Sequence, residues 1–324
     1  MRVTRICLAA IAALRVFLSA IHSAASQSFP DKPIKIIVPF AAGGQMDVMA
    51  RLVGQKMSPA LGQPTIVENR AGAGGTIGSK AVASAEPDGY TLLWASSGSL
   101  AIFPALYKNL DYDPKAFVAV ALVAKLPHVF VIRPDLPAKT VKEFVAYAKA
   151  NPGKLNYGAS LGTPPHLMGT MFAKMGGIEM TYIPYKGAAP SITDLLGGQT
   201  HLTFDALTVL SSLISEGKLR ALAITSPQRW PALPDVPTMT EAGFVGFPGD
   251  SWAGIVAPAG TPAAIVNKLN AAINESMRSP EVTATLTKIS VVPSLGSPKY
   301  FADWIVTESP VLAAMVQAAG ARAD

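Results

Sequence analysis

The chain has 324 residues, 50% hydrophobic and 15% charged, with a net charge of +6. That balance excludes a disordered polymer and allows two domains of ordinary size. Gly and Pro, 27 of each, are scattered between apolar runs, which suits many short turns rather than a low-complexity tail. Residues 1–25 stand apart: Arg2 and Arg5 make a basic start, residues 6–14 an apolar run, and Ser23-Ala24-Ala25 a small-residue exit. This is the order of a cleaved secretory signal peptide, with the cut after Ala25 or Ser26. Arg15 interrupts its apolar stretch, which residues 16–21 continue. Its removal takes three arginines and no acid, so the charge falls from +6 to +3 and no nucleic-acid partner is expected. Cys7, the single cysteine, leaves with it, so the exported chain is expected to have no disulfide, thiolate ligand or cysteine nucleophile.

Apolar runs and helical patterns then alternate. A strand is predicted over 34–40, closed by Ala41-Ala42-Gly43-Gly44, and a helix over 47–61 with Gly62 as its stop. A strand at 65–67, a glycine-rich loop at 69–75, a helix over 76–85 and a strand over 90–95 follow. That order calls for parallel βαβ units. A second block opens with a strand over 128–133 and a capping box, Thr140 to Glu143, that starts a helix ending at Ala150. Strands at 155–159, 180–185, 202–204 and 219–224 alternate with helices from His166 and Pro190. A strand over 252–256 and a helix over 262–277 resume the first block. The expected fold class is α/β with two domains: 26–125 plus 253–324, and 126–252, with a ligand cleft between them.

Three loops join the carboxyl end of a strand to the amino end of a helix: 43–47, 72–75 and 160–163. Backbone amides at a helix start, with the dipole behind them, favour an anion. A single such loop can be a simple turn; three in one chain suggest a shared anionic ligand. Gly72-x-Gly74-x-x-x-Gly78 resembles a dinucleotide fingerprint, but the following strand ends in Ser96-Ser97 and lacks the acid that would take a ribose. Gly158-Ala159-Ser160-Leu161-Gly162 matches a nucleophile elbow, and Ser160, Asp194 and His201 stand in hydrolase order. Seven residues across a helix end leave little room for a separate acid loop, and no histidine follows Asp205. The three separated histidines of the exported chain, His128, His166 and His201, give no metal-ligand spacing, and no cofactor is expected.

The same loops resemble the Bug (TctC-type) receptors of tripartite tricarboxylate transporters. The resemblance is carried by Phe29-Pro30-Asp31-Lys32-Pro33-Ile34, by Val38-Pro39-Phe40-Ala41-Ala42-Gly43-Gly44 with Asp47 and Ala50-Arg51, and by 67–75 with Gly78. Pro87-Asp88-Gly89-Tyr90, His166-Leu167, Pro184-Tyr185-Lys186-Gly187, 194–198 and 233–238 extend it along nearly the whole exported chain. It implies a type II periplasmic-binding-protein fold and a non-enzymatic, monomeric periplasmic receptor. Such a receptor hands a small carboxylate to membrane subunits, or alternatively serves a two-component sensor. It places the ligand against Phe40, Ala42, Gly43, Gly44, Gln45, Met46, Ser160, Gly162, Thr163 and His166. Ser96, Gly98, Lys186, Gly187 and Asp205 fall on stretches expected to line the cleft. Asp47 is expected to tie the first loop to its helix, and Asn69-Arg70 to shape the second. Gln45-Met46 replaces the small residues or proline that the family commonly has after Gly-Gly. Either the two side chains reshape the cleft for a larger or more aromatic ligand, or they face solvent.

Overall fold

The β-branched run Ile34-Lys35-Ile36-Ile37-Val38 forms β1 (Ile34–Val38), buried at all but one position, as a strand covered on both faces should be. These are the first elements of a computed structural model that describes residues 29–323, so the signal peptide expected over 1–25 lies outside it. The helix α1 (Gln45–Leu61) begins two residues before the sequence pattern predicts, because Gly44 is its N-cap, and it ends on Gly62 in the left-handed conformation. Next come β2 (Thr65–Asn69), α2 (Thr76–Ala83) and β3 (Thr91–Ser96). β1 lies between β2 and β3 and runs parallel to both. A tight turn at Gly98–Ile102 continues into the short α3 (Phe103–Leu106). After β4 (Phe117–Leu126) a single residue, Pro127, leads to β5 (His128–Ile132).

The second block runs through α4 (Val141–Ala150), β6 (Leu155–Ala159), α5 (Pro164–Gly176), β7 (Met180–Pro184), α6 (Ala188–Leu196), β8 (Leu202–Ala206), α7 (Leu207–Ser215) and β9 (Arg220–Ile224). The capping box forms at α4: the Thr140 hydroxyl accepts from the Glu143 amide at 3.1 Å, and Glu143 reaches back to the Lys139 amide. The chain returns through β10 (Ser251–Pro258), α8 (Ala263–Arg278), α9 (Pro280–Lys288), β11 (Val292–Pro293) and α10 (Pro298–Ala318).

Two sheets result, in the orders β11-β4-β10-β3-β1-β2 and β7-β6-β8-β5-β9. The chain crosses between them at Pro127 and again between β9 and β10. Met49, Val53 and Leu269 pack one core against Ile36 and Trp94. The second core is aromatic, with Phe130 stacked on Phe204 at 4.6 Å and tilted on Phe172 at 4.7 Å. The last helix is shared. Phe301 near its start meets Trp252 of the first sheet edge-on, whereas Leu312, Met315 and Val316 belong to the second core. The end of α10, which the 253–324 bound groups with the first domain, packs its apolar stripe on the second core. No helix of the described residues is long and apolar enough to cross a membrane.

Candidate ligand-binding cleft

In the first loop Gly43 takes φ +79°, and the N-cap Gly44 has no side chain to cap the open amides of the first turn of α1. Asp47 holds this turn from behind. Its carboxylate, 3% exposed, accepts from the Gly43 amide at 2.9 Å, the Asn69 amide at 2.9 Å and the Arg51 guanidinium at 3.0 Å. Burial alone would raise the Asp47 pKa, but these hydrogen bonds and the Arg51 charge outweigh it and hold the carboxyl below its ordinary range. Asn69 serves this first loop rather than the second, since its side-chain amide also donates to the Phe40 carbonyl. Arg70 pairs with Glu68.

In the second loop Gly72, Ala73, Gly74 and Gly75 all have positive φ. Gly78 answers a packing need, because a Cβ there would lie 2.9 Å from the Arg70 carbonyl oxygen. The glycines that resemble a dinucleotide fingerprint thus serve turning and close approach. In the third loop the Gly162 amide donates to Nδ1 of buried His166 at 3.2 Å, and the Thr163 hydroxyl donates to the Ser160 carbonyl at 2.7 Å. Burial lowers the His166 pKa, so the ring is neutral and its Nδ1 accepts, as that contact requires.

A cavity of about 290 Å³ lies where these loops meet. The first half contributes Phe40, Gln45, Met46, Gly74, Ser96, Ser97, Gly98, Phe103, Leu106 and Tyr107; the second gives His128, Leu161, Gly162, Thr163, Pro164 and Ala206. Leu126 and Ser251, beside the two crossings, complete the lining. This is the place at which an open α/β sheet receives ligands, outside the carboxyl ends of its parallel strands. A broader depression beside α1, lined by Arg51, Gln55 and Pro64 among others, shares no residue with it. Among the described residues no Lys, Arg, Asp or Glu lines the cavity. An anion there is met by amides, hydroxyls and helix starts, each dipole contributing roughly 0.3–1 kcal/mol and up to about 2 when partly buried. The halves touch across the opening: the Gln45 side-chain amide donates to the Thr208 hydroxyl at 3.2 Å, and Leu106 occupies the space that a side chain on Gly162 would need.

Of the residues expected at the site, Phe40, Gln45, Met46, Ser96, Gly98, Gly162 and Thr163 line the cavity. Gln45 and Met46 are therefore not side chains facing solvent: Gln45 bonds across the cleft and Met46 also packs on the first core. Ala42, Gly43 and Gly44 shape the exposed turn without lining the cavity, and Asp47 and His166 brace their loops from behind. Ser160 supplies a carbonyl to its own loop. Lys186 and Gly187 follow β7, the outermost strand of its sheet, and are not among the residues that line the cavity. Asp205 is turned away by strand alternation, since its cross-strand neighbour Val129 lies in a separate apolar cluster, whereas Ala206 faces the cavity. The hydrolase arrangement does not assemble: the Asp194 carboxylate accepts from Tyr185 at 2.7 Å, and the His201 ring contacts Asn156, at the opposite end of β6 from Ser160.

Phe103, Leu106 and Tyr107 escaped the sequence reading because they come from a turn after β3 and not from a glycine loop. His128 and Ser251 carried a usable signal, since each stands at a point where the chain changes sheets. Residues at such crossings border the cleft by topology.

A family model described as the tripartite tricarboxylate transporter family receptor matches residues 49–320. The protein BugT of Bordetella pertussis is 36% identical over 318 residues, which cover 96% of this chain and 98% of that protein. Among solved structures, an R. palustris protein with adipate superposes with a TM-score of 0.80 at 36% identity, covering 90% of this chain and 98% of that one. MatC from Rhodopseudomonas palustris with bound malate gives 0.76 at 33% identity, covering 89% and 100%. By sequence and by its two-domain α/β fold, this chain belongs to the TctC family of periplasmic solute-binding receptors.

Proposed function

We propose that the protein is exported to the periplasm, captures a small carboxylate between its two halves and delivers it to the membrane subunits of a tripartite tricarboxylate transporter. The observation that carries this reading is the cavity itself: enclosed by both halves, bordered by a helix start without a side-chain cap, and lined, among the described residues, by no charged side chain. Such a site neutralises a carboxylate with amides and hydroxyls, so anion and apolar body are both accommodated. The adipate and malate held by two structural relatives support the same ligand class. Capture follows from closure: a ligand that touches both halves binds the closed form better and shifts the equilibrium towards it. Gln45 and Met46, both at the cavity, favour a ligand with a larger or more aromatic body than a C4 dicarboxylate.

The test is thermal unfolding of the exported chain, stripped of ligand by unfolding and refolding, against a panel of aliphatic and aromatic carboxylates. A ligand at 100 times its Kd stabilises by about 2.7 kcal/mol, a readily measured shift. Stabilisation by one class of carboxylate supports the reading. A folded sample indifferent to all of them sinks it.

A further inference from the structure

His128 is the cavity residue whose chemistry the function above does not use. Strand alternation puts its side chain on the same face of the second sheet as Phe130, opposite Val129. Its cross-strand neighbour Ala206 lies on that face too, and both residues line the cavity. The residue is 4% exposed, and its backbone is fixed on both sides by Thr225: the His128 amide donates to the Thr225 hydroxyl at 3.0 Å, and the Thr225 amide donates to the His128 carbonyl at 2.9 Å. The ring is fixed as well. Its Nδ1 lies 3.1 Å from the Leu126 carbonyl oxygen, and a carbonyl only accepts, so Nδ1 carries a hydrogen. Burial lowers the pKa to about 4, so the imidazole is neutral at physiological pH. Nε2 is then a bare acceptor, and among the described residues no protein group donates to it.

The rest of the cavity holds donors at the start of α1 and a buried Ser97 hydroxyl, with Phe40, Phe103 and Leu161 as apolar wall. A simple carboxylate satisfies the donors and leaves Nε2 unmatched. We infer that His128 is a specificity residue whose Nε2 accepts a hydrogen bond from a hydroxyl or N–H carried on the apolar body of the carboxylate ligand. This deepens the carboxylate-receptor reading and rests on it. The bond has a mechanical consequence: the carboxylate engages the first half and the donor engages the second, so one ligand ties both halves together. A buried site built to hydrogen-bond a substrate group discriminates strongly against analogues that lack the group, because its own polar atom is then left unpaired.

The experiment measures Kd by calorimetry for matched pairs: benzoate with 3- and 4-hydroxybenzoate, phenylacetate with 4-hydroxyphenylacetate, and hexanoate with 6-hydroxyhexanoate. The expected result is that the hydroxylated member of the best-fitting pair binds at least about ten-fold tighter, equivalent to 1.4 kcal/mol. In His128→Leu that ratio falls to near one; His128→Gln, which keeps an acceptor, retains part of the preference. A second readout needs no substitution: nitrogen NMR of the ring shows an unprotonated Nε2 whose resonance moves on adding the hydroxylated ligand and not its partner. Equal affinity within every pair, a preference that survives in His128→Leu, or a proton on Nε2 in the free protein overturns the inference and leaves the carboxylate receptor standing. Failure of every pair together with the whole panel of carboxylates used to test the receptor removes that reading, and this one with it.

Discussion

Each half of the protein buries an aspartate, and the two are handled in opposite ways. Asp47 is reached by the Gly43 amide, the Asn69 amide and the Arg51 guanidinium, and its pKa is held below the ordinary range. Among the described residues Asp205 accepts only from the next backbone amide, that of Ala206, and burial lifts its pKa to about 6. Both are nearly shut off from solvent, but Asp205 lies deeper in the protein, so a larger desolvation penalty and fewer donors together raise its pKa. The difference extends to the site loops. The first half positions its glycine turn with charge, and the second does so with a neutral imidazole, His166, beneath Gly162.

The strongest way to break this comparison is to remove Asp47. Asp47→Ala leaves three donors unmatched and is expected to cost about 3 kcal/mol in urea unfolding at pH 7.5, the half-exposed Arg51 contributing the smaller share. Because the folded pKa is depressed, this stabilisation is present above the unfolded value and is lost as pH falls through the folded one. The deficit should therefore persist to pH 5 and narrow below about 4. A deficit under about 1 kcal/mol at pH 7.5 would mean that the network does not hold the loop.

Asp205→Asn is expected to do the reverse and stabilise the fold by about 2 kcal/mol at pH 7.5, while keeping an acceptor for the Ala206 amide. The folded pKa is raised from 3.8 to about 6, so the native state gains stability as pH falls through that window. The advantage of Asn should shrink between pH 6 and pH 4. A variant less stable than wild type at pH 7.5 would show that the carboxylate has a partner not yet identified.

His166→Leu should cost about 1–2 kcal/mol by leaving the Gly162 amide unpaired. The folded pKa of His166 is depressed from 6.5, so its neutral ring stabilises above that value and the contribution fades as pH drops below it. The two loop-bracing residues should thus lose their effect in separate pH windows, and overlapping windows would end the contrast between charged and neutral bracing. The smallest effect is expected from Gln45→Ala, which removes one interdomain hydrogen bond, about 0.5 kcal/mol. Its readout is X-ray scattering of the ligand-free protein, where a larger radius of gyration is expected. An unchanged radius would show that Gln45 does not hold the halves together.

Most of the fold was legible because its signals are local. Alternating β-branched runs, the Thr140 capping box and Gly62 as a stop follow from propensity and capping, and the strands that were predicted fall within a residue or two of their bounds, whereas β4 and the two-residue β11 were not predicted. The shifts that occurred have local reasons, such as the start of α1 set by Gly44. The site was legible in its loops and not in its walls. Glycine turns before helices announce themselves, whereas the inward direction of Leu106 or His128 depends on which strand lies opposite and where the chain changes sheets. Asp205 illustrates the limit: a one-residue step along β8 moves a side chain from the cavity to the far face.

Read alone, the amino-acid sequence determined the two α/β blocks, the three loop positions and the family, since each is written in short runs of adjacent residues. Tertiary structure decided what those residues face. Bringing β5, β8 and the turn after β3 together created a cavity that no charged side chain lines among the described residues, placed Gln45 opposite Thr208, and set His128 in its wall. The physical reason is that a side chain's environment is set by partners distant in sequence, and no local pattern encodes a vacancy between them.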